Sequence, residues 1–237
     1  MRSVAIKIGI DATNAKEPGY VYEDGSFTYL PIPESDPTVK RPTYAELDVP
    51  ESLIDQFGET VLTMNPEFPS MPTGERATYA VTTPVETGIL TELTEGDLIF
   101  FYSKLQYGDN GKPKLAAINQ DSGYYIIAQM QLARDPVIIK DRWNISRDIW
   151  TAFSTNAVRR RQRFHALGLI LGDTTTSGLY DAVLPITDTA IENECLKNSN
   201  VRAKPNGNHP PIFLDESDTD RLLRQSSGGR VRMPYLH

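Results

Sequence analysis

Short apolar runs separated by polar turns extend along most of the chain, and the most regular of them lie between residues 96 and 132. Asp97–Leu105, Lys114–Asn119 and Tyr124–Leu132 are three such runs, separated by GDNG at 108–111 and QDSG at 120–123. Glycine and asparagine tolerate the positive φ of tight hairpin turns, so the pattern predicts a three-stranded meander. In the third run, a period of two would place four apolar residues on one face of the strand: Ile126, Ala128, Met130 and Leu132.

The same kind of pattern predicts strands on both sides of the meander. Val4–Ile10 alternates with β-branched residues, and Ala166–Leu171 is a continuous apolar run. Asp24-Gly25 predicts a hairpin turn between strands at 20–22 and 27–32. Ala182–Ile186 predicts one more strand.

Two helices are indicated by capping residues. Ser146 is placed as the N-cap of a helix from Arg147 to about Ala157, and Ser217 as the cap of a short final helix. The buried face of the first helix would carry Ile149, Trp150 and Phe153. No stretch has the composition of a flexible linker. We therefore predict a single, β-rich α+β domain over 1–237, with a core at about 4–187 and a loop, short helix and basic tail at 188–237.

Composition narrows the class of protein. The 237 residues contain no apolar run long enough to cross a membrane, and the N-terminus is typical of a first strand and not of a signal peptide. Cys195 is the single cysteine, which excludes an intrachain disulfide and a cysteine metal cluster. The three histidines are not spaced as a metal site. We expect a cytoplasmic protein with no membrane partner, we assign no metal-ligating residues, and the sequence does not determine the cofactor.

The net charge is −7, and the charged residues are unevenly distributed along the chain. Residues 1–97 carry 17 acidic and 6 basic side chains, whereas residues 134–163 carry 8 basic and 3 acidic ones. A local basic segment of this kind can contact phosphates, although the run at 159–163 is also typical of a solvated helix end. The candidate nucleic-acid contacts are Arg142, Arg147, Arg159, Arg160, Arg161 and Arg163.

Two aspartates directly follow predicted buried strands. Asp11 comes after the first strand, and Asp173 follows Gly172 in a turn rich in hydroxyl groups. If the two strands were neighbours, the carboxylates could share a pocket for acid–base or glycosidic-bond chemistry, or for Mg²⁺. The backbone amides of Gly172 and Thr174 could instead hold a phosphate. Aspartate at a strand end is also a common loop cap, so both interpretations stay open.

Four groups of segments, in order and spacing, carry a resemblance to a known family. They are GID with EDGSFTYLPIPE (Gly9–Asp11, Glu23–Glu34), GDLIFFYSKL with YYIIAQMQL (Gly96–Leu105, Tyr124–Leu132), NAVRR (Asn156–Arg160) and LGLILGDTTTSGLYDAVLPI (Leu167–Ile186). The chain resembles the nucleotide modification associated domain 3 family, which is linked to modified DNA bases in bacteria, archaea and phages. It departs from that pattern ahead of the Asp24-Gly25 turn, where EPGYVY replaces the usual glycine and serine–proline stretch.

The central strands are also similar to PUA-like domains of the EVE, YTH and ASCH groups. This resemblance implies either a mixed or antiparallel sheet or a partly closed PUA-like barrel, with two or three short helices. It also implies an aromatic pocket for a flipped-out base, which is recognised by stacking and by hydrogen bonds to its edge. The candidate aromatic ligands are Tyr102, Tyr124 and Trp143.

Three functions remain open from the sequence. The first is a protein that binds nucleic acid, or a modified nucleotide, in an aromatic and acidic pocket. The second is an enzyme that acts on a nucleotide or sugar-nucleotide through Asp11 and Asp173. The third is a non-catalytic subunit of a prokaryotic or phage modification or defence system, which would have other proteins of that operon as partners.

Overall fold

The structure is a computed structural model that describes residues 1–9, 19–22, 24–34, 43–46, 51, 54–55, 58–63, 65–69, 76–82, 84–107, 122–140, 145–156, 167–186 and 211–226. The strands with defined bounds are β1 Ser3–Lys7, β2 Gly19–Val21, β3 Phe27–Thr28, β4 Ala77–Val81, β5 Leu98–Tyr107, β6 Ser122–Gln131, β7 Val137–Ile139, β8 Leu167–Gly172, β9 Gly178–Pro185 and β10 Ile212–Leu214. The helices with defined bounds are α1 Pro84–Leu90, α2 Arg147–Ala152 and α3 Glu216–Gln225, with a 3₁₀ turn at Tyr44–Glu46.

Counting the described part of the chain, the main sheet contains seven strands and is built around β5. One edge of β5 pairs in parallel with β1 and then, further along, with β2, while its other edge pairs with antiparallel β6. The outer neighbours are β10 beside β1, β3 beside β2, and β9 beside β6. The C-terminal strand β10 therefore belongs to the main sheet, although it follows the expected core boundary at residue 187. The division of the chain into one domain stays a prediction.

A second sheet has three antiparallel strands in the order β4-β8-β7. The end of β8 meets the end of β6, because Asp173 N donates to the Gln131 carbonyl at 2.8 Å and Ala133 N donates to the Leu171 carbonyl at 2.9 Å. Within the described residues, the strands form two open sheets and do not close into a barrel. The α+β class is confirmed.

Three apolar clusters define the layers of the fold. The largest lies between the two sheets and includes Ile99 and Phe101 of the main sheet with Tyr79 of the small sheet. A second cluster lies on the outer face of the main sheet, under α3, and a third lies between the small sheet and α2. The order of layers is therefore α3, main sheet, small sheet and α2.

The predicted meander is wrong in its order of strands. β5 and β6 pair directly from Leu98↔Gln131 to Gln106↔Ser122, so no strand can lie between them. The expected middle strand, Lys114–Asn119, and its first turn lie outside the described residues. One edge of β5 pairs with β1 and β2, and the other pairs with β6. The two long runs therefore form an antiparallel hairpin at the centre of the sheet.

The prediction that Ile126, Ala128, Met130 and Leu132 share one face of β6 is wrong for Ile126. The β5–β6 register shifts between Phe101 and Tyr102, so that Ile127 is an extra residue on β6. A bulge of this kind reverses the alternation of side chains. Ile126 consequently packs in the outer cluster, whereas Ala128, Met130 and Leu132 pack between the sheets.

The turns and helix caps agree in part with those predicted from the sequence. The Asp24-Gly25 hairpin is present, with Gly25 at φ 82°, and Ser146 caps α2 by accepting a hydrogen bond from Ile149 N. Helix α2 ends at Ala152 and leaves the Trp150 side chain 37% exposed, so the expected core role of Trp150 is wrong. Helix α3 is capped by Asp215 and not by Ser217, since Asp215 Oδ1 accepts from Asp218 N at 2.8 Å.

Candidate functional site

Three side chains from adjacent strands meet on the outer face of the main sheet. Lys7 and Tyr102 are register partners on β1 and β5, so both side chains point to the same face. The Tyr102 and Tyr124 rings pack edge to face with centroids 6.1 Å apart, and Lys7 Nζ lies 5.9 Å from the Tyr124 centroid. This is cation–π geometry, typically about 0.5–1 kcal/mol at an exposed position. Lys7 and Tyr124 are partly exposed, whereas Tyr102 is fully buried beneath them.

The same face continues along the sheet beyond Tyr124. Lys104 is the register partner of Tyr124, and Gln106 is the partner of Tyr20 on β2. Tyr22 joins them, since its hydroxyl lies 3.2 Å from Thr28 Oγ1 and Thr28 is the partner of Tyr20. We call this surface the tyrosine–lysine face, and all its members are partly exposed: Lys7, Tyr20, Tyr22, Lys104, Gln106 and Tyr124.

Asp173 lies in the tight turn between β8 and β9. Its Oδ1 atom accepts hydrogen bonds from Thr175 N at 2.7 Å and Oγ1 at 2.6 Å, and from Thr176 N at 3.1 Å. These bonds, those from Thr175 foremost, hold the pKa of the carboxyl below its ordinary value. The geometry is that of an aspartate that closes its own turn. A catalytic role for Asp173 stays a prediction.

Gly172 is a close-packing position. A Cβ atom placed there would lie 2.6 Å from Met130 Cγ and 2.9 Å from both Ala77 Cβ and Ser177 Oγ. The residue also bridges to Leu132 and pairs with Ala77, so it lies where the two sheets meet. Thr174, the next candidate phosphate contact, is exposed in the turn. The predicted ligand roles of Gly172 and Thr174 remain untested.

A buried polar cluster lies between the small sheet and the end of α2. Glu67 is fully buried, and its Oε2 accepts from the hydroxyls of Thr78 and Thr155, each at 3.0 Å. Asn156 Nδ2 donates to Thr78 Oγ1 at 3.2 Å and to Asn65 Oδ1 at 3.3 Å. Asn65 in turn bonds both backbone groups of Ala80. Five side chains from three segments are thus joined in a single hydrogen-bond network, in which Glu67, Thr78 and Asn156 are buried.

Aromatic rings lie on the opposite face of β4 from this cluster. Phe68 follows Glu67, and it packs edge to face on Phe101 with centroids 6.1 Å apart. Tyr79 of β4 packs on the same Phe101 ring at 5.2 Å. The rings therefore lie between the two sheets, on the side of β5 opposite to Tyr102, whereas Glu67 lies on the side of the small sheet that faces α2. The NAVRR motif reaches the polar cluster through Asn156, but it does not identify Glu67.

Those predicted site residues that the structure describes do not converge on one pocket. Tyr124 is near the start of β6, whereas Asp173 bonds to Gln131 at its end, and seven residues of strand span roughly 20 Å. The premise that the strands before Asp11 and Asp173 are neighbours is wrong, because β1 lies in the main sheet and β8 in the small sheet. Of the predicted residues within the described ranges, Tyr102 and Tyr124 come together from different strands, and Lys7 joins them.

Several predicted residues lie outside the described part of the chain. Arg147 is described, and its side chain is exposed on the first residue of α2. The others are Asp11, Arg142, Trp143, Arg159, Arg160, Arg161 and Arg163. In the described ranges, no group of three or more histidine, cysteine or acidic residues is placed to hold a metal ion. None of the helices in these ranges is both long and apolar enough to cross a membrane.

Fold and site together define an α+β domain whose mixed sheet presents tyrosines and lysines on one face. The family model described as nucleotide modification associated domain 3 matches residues 2–226. Since that match covers nearly the whole chain, the protein belongs to this family, as its motifs suggested.

Other comparisons add little to the family assignment. No curated protein matches the chain. A solved structure, the N-terminal domain of Thermococcus gammatolerans McrB bound to m5C DNA, is similar over 95% of this chain and 98% of that chain. The sequence identity is 13% and the TM-score is 0.32. The assignment therefore depends on the family match and on the motifs in the chain.

Proposed function

We propose that this protein binds nucleic acid, or a nucleotide with a modified base, as its contribution to nucleotide modification. The observation that carries the proposal is the arrangement of Lys7, Tyr102 and Tyr124 on the outer face of the main sheet. A partly exposed tyrosine ring offers a stacking surface to a base, and a neighbouring ammonium offers a counter-charge to its phosphate. Membership of a family associated with nucleotide modification supports this choice of ligand.

Each of the three residues has a defined part in the proposal. Tyr124 stacks on the base, and stacking of this kind is worth roughly 1–3 kcal/mol per base. Tyr102 is buried and buttresses Tyr124 from below, so it orients the ring without contacting the ligand. Lys7 contacts phosphate. The phosphate contact of Lys7 makes binding depend on salt. Arg147, predicted from the sequence as a phosphate contact, is exposed on α2 at the opposite outer layer, so it would contact a different part of a longer nucleic acid.

Fluorescence polarisation with labelled DNA at low salt tests the proposal. Single-stranded and duplex oligonucleotides, with and without a modified base, should bind, and the affinity should fall as salt is raised. Tyr124→Ala should weaken binding about 5- to 150-fold, as expected for the loss of one stacking contact, and Tyr124→Phe should retain most of it. Phe213→Ala is the matched control, because Phe213 is a 41% exposed aromatic residue on edge strand β10 and lies outside the tyrosine–lysine face.

Two outcomes would contradict the proposal. One is the absence of binding to any of these oligonucleotides, or to free nucleotides, at low salt. The other is binding that Tyr124→Ala and Phe213→Ala weaken equally, because that would locate the contact elsewhere. Unfolding curves of all three variants should accompany the titrations, so that loss of binding is not confused with loss of the fold.

A further inference from the structure

The tyrosine–lysine face extends well beyond the space that one nucleotide occupies. Tyr124 and Tyr20 lie on β6 and β2, on either side of β5, and they are offset by two residues along the strands. Strand spacing of about 4.8 Å and a rise of about 3.3 Å per residue place their Cα atoms about 12 Å apart. Lys104 lies between them, since it is the register partner of Tyr124 and precedes Gln106, the partner of Tyr20, by two positions.

Both lysines of this face lie on the β5 side of Tyr124. Lys104 on β5 lies between Tyr124 on β6 and Tyr20 on β2, whereas Lys7 on β1 lies on the same edge of β5 as Tyr20 but four residue positions away. Gln106 adds a carboxamide that can both donate and accept hydrogen bonds. The surface thus has two aromatic positions about 12 Å apart, Tyr124 with the two lysines and Tyr20 with Gln106.

We infer that the tyrosine–lysine face binds a run of several unpaired nucleotides and not a single isolated one. Stacking on tyrosine requires an exposed base face, which a paired and stacked duplex does not offer along its length. A single strand can place one base on Tyr124 and a later base on Tyr20 or Tyr22, while Lys104 neutralises a phosphate between them and Lys7 neutralises one beside Tyr124. This inference rests on the proposed function and specifies its ligand class as unpaired nucleic acid.

The dependence of affinity on oligonucleotide length tests this inference independently of the proposed function. Binding to the full chain should be measured with single-stranded oligothymidylates of one, two, four, eight and twelve nucleotides, at low salt and equal dye position. We expect affinity to rise at least tenfold between one and eight nucleotides and then to level off. A hairpin duplex of the same total length should bind at least tenfold more weakly than the single strand.

Variants at the far end of the face provide the second test. Tyr20→Ala and Tyr22→Ala should each weaken binding of the eight-nucleotide strand about 5-fold or more, and should leave binding of a mononucleotide unchanged. Tyr124→Ala should weaken both. Tyr20→Phe and Tyr22→Phe retain the ring and should restore binding of the long strand, which distinguishes stacking from a change in fold stability. Phe213→Ala again serves as the control outside the face.

The possible failures are distinguishable. If the mononucleotide binds as tightly as the eight-nucleotide strand and Tyr124→Ala weakens both, the proposed function stands and this inference is overturned. If duplex binds as tightly as single strand and is insensitive to Tyr20→Ala and Tyr22→Ala, the inference is likewise overturned. If no oligonucleotide or nucleotide binds, the proposed function fails as well.

Discussion

The ammonium of Lys7 lies 5.9 Å from the centre of the Tyr124 ring, although 116 residues separate them in the chain. They meet because β1 and β6 flank β5 on opposite edges, and because Tyr102 on β5 supports the Tyr124 ring from below. The pair joins a cation to an aromatic face at a partly exposed position, which is the combination that the proposed nucleotide binding requires. The charge of Lys7 and that of Lys104 can be tested separately from the ring.

Removing the lysine charges should reduce the salt dependence of nucleic-acid binding. We expect Lys7→Gln and Lys104→Gln each to lower the slope of log affinity against log salt by about 0.7, because each removes one phosphate contact with a single strand. Arg76→Gln is the control, since Arg76 is exposed ahead of β4 in the small sheet. Titrations between low and moderate salt measure the slope. An unchanged slope in both lysine variants would remove these residues from the interface.

The buried polar cluster should contribute strongly to stability. Thr78→Val removes a hydroxyl that donates to Glu67 and accepts from Asn156, and both partners are fully buried. We expect a loss of about 1–3 kcal/mol in the free energy of unfolding, because buried polar groups are left unsatisfied. Thr151→Val is the matched control, with an exposed hydroxyl bonded to the Arg147 carbonyl, and should change stability by less than about 0.5 kcal/mol. Urea unfolding measures both, and equal losses would argue against the network.

Gly172 should not tolerate a side chain. Gly172→Ala would bring a methyl group within 2.6 Å of Met130 Cγ and 2.9 Å of Ala77 Cβ, so we expect a loss of about 1–3 kcal/mol from overpacking. Gly88→Ala is the opposite case, because nothing lies within 4 Å of a Cβ in that helix position. That variant should be neutral or up to about 1 kcal/mol more stable, through higher helix propensity. Thermal unfolding of the pair checks both signs.

Substitutions at Asp173 separate its hydrogen bonds from its charge. Asp173→Ala should destabilise more than Asp173→Asn, because asparagine keeps an oxygen that can accept from Thr175 and Thr176. The hydrogen bonds from Thr175 and Thr176 lower the folded-state pKa of Asp173 below its ordinary value of 3.8. The carboxylate therefore stabilises the fold above about pH 4, and this contribution is lost as the pH falls through the lowered pKa.

The pH dependence gives the measurement for this residue. The stability difference between wild type and Asp173→Asn should be largest near neutral pH and should shrink below about pH 4. Urea unfolding at several pH values between about 3 and 7 follows it. A difference that stays constant with pH would show that the charge of Asp173 does not contribute. Normal turnover of a nucleotide substrate by Asp173→Asn, should turnover be found, would reject the predicted catalytic role.

The N-cap of α3 is Asp215 in the structure, whereas the sequence predicted Ser217, and substitutions at the two residues test which of them caps the helix. Asp215→Ala should lower the free energy of unfolding by about 1 kcal/mol, because its Oδ1 accepts from Asp218 N at 2.8 Å. Ser217→Ala should change it by less than about 0.5 kcal/mol, since Ser217 is exposed one residue inside the helix start. Urea unfolding compares the two, and a larger effect at Ser217 would restore the cap predicted from the sequence.

The sequence by itself determined the features that depend on neighbouring residues. The Asp24-Gly25 turn, the Ser146 cap and the apolar runs of β1, β5, β6 and β8 were each predictable, because local backbone preferences and side-chain alternation act over a few residues. The α+β class and the family followed from these runs and their motifs. The cap at Ser217 and the core role of Trp150 were wrong, since nearby alternatives look equally suitable when the packing is unknown.

Tertiary structure alone decided which residues share a site. The direct pairing of β5 with β6, and the extra Ile127, set which side of the sheet each β6 side chain faces, and no local pattern encodes a bulge. Lys7 meets Tyr124 only through strand order, and Glu67 meets Thr155 and Asn156 only through packing of distant segments. Such long-range contacts depend on the burial of whole faces. For this reason the sequence could single out Tyr102 and Tyr124 as candidates, whereas their grouping with Lys7 came from the tertiary structure.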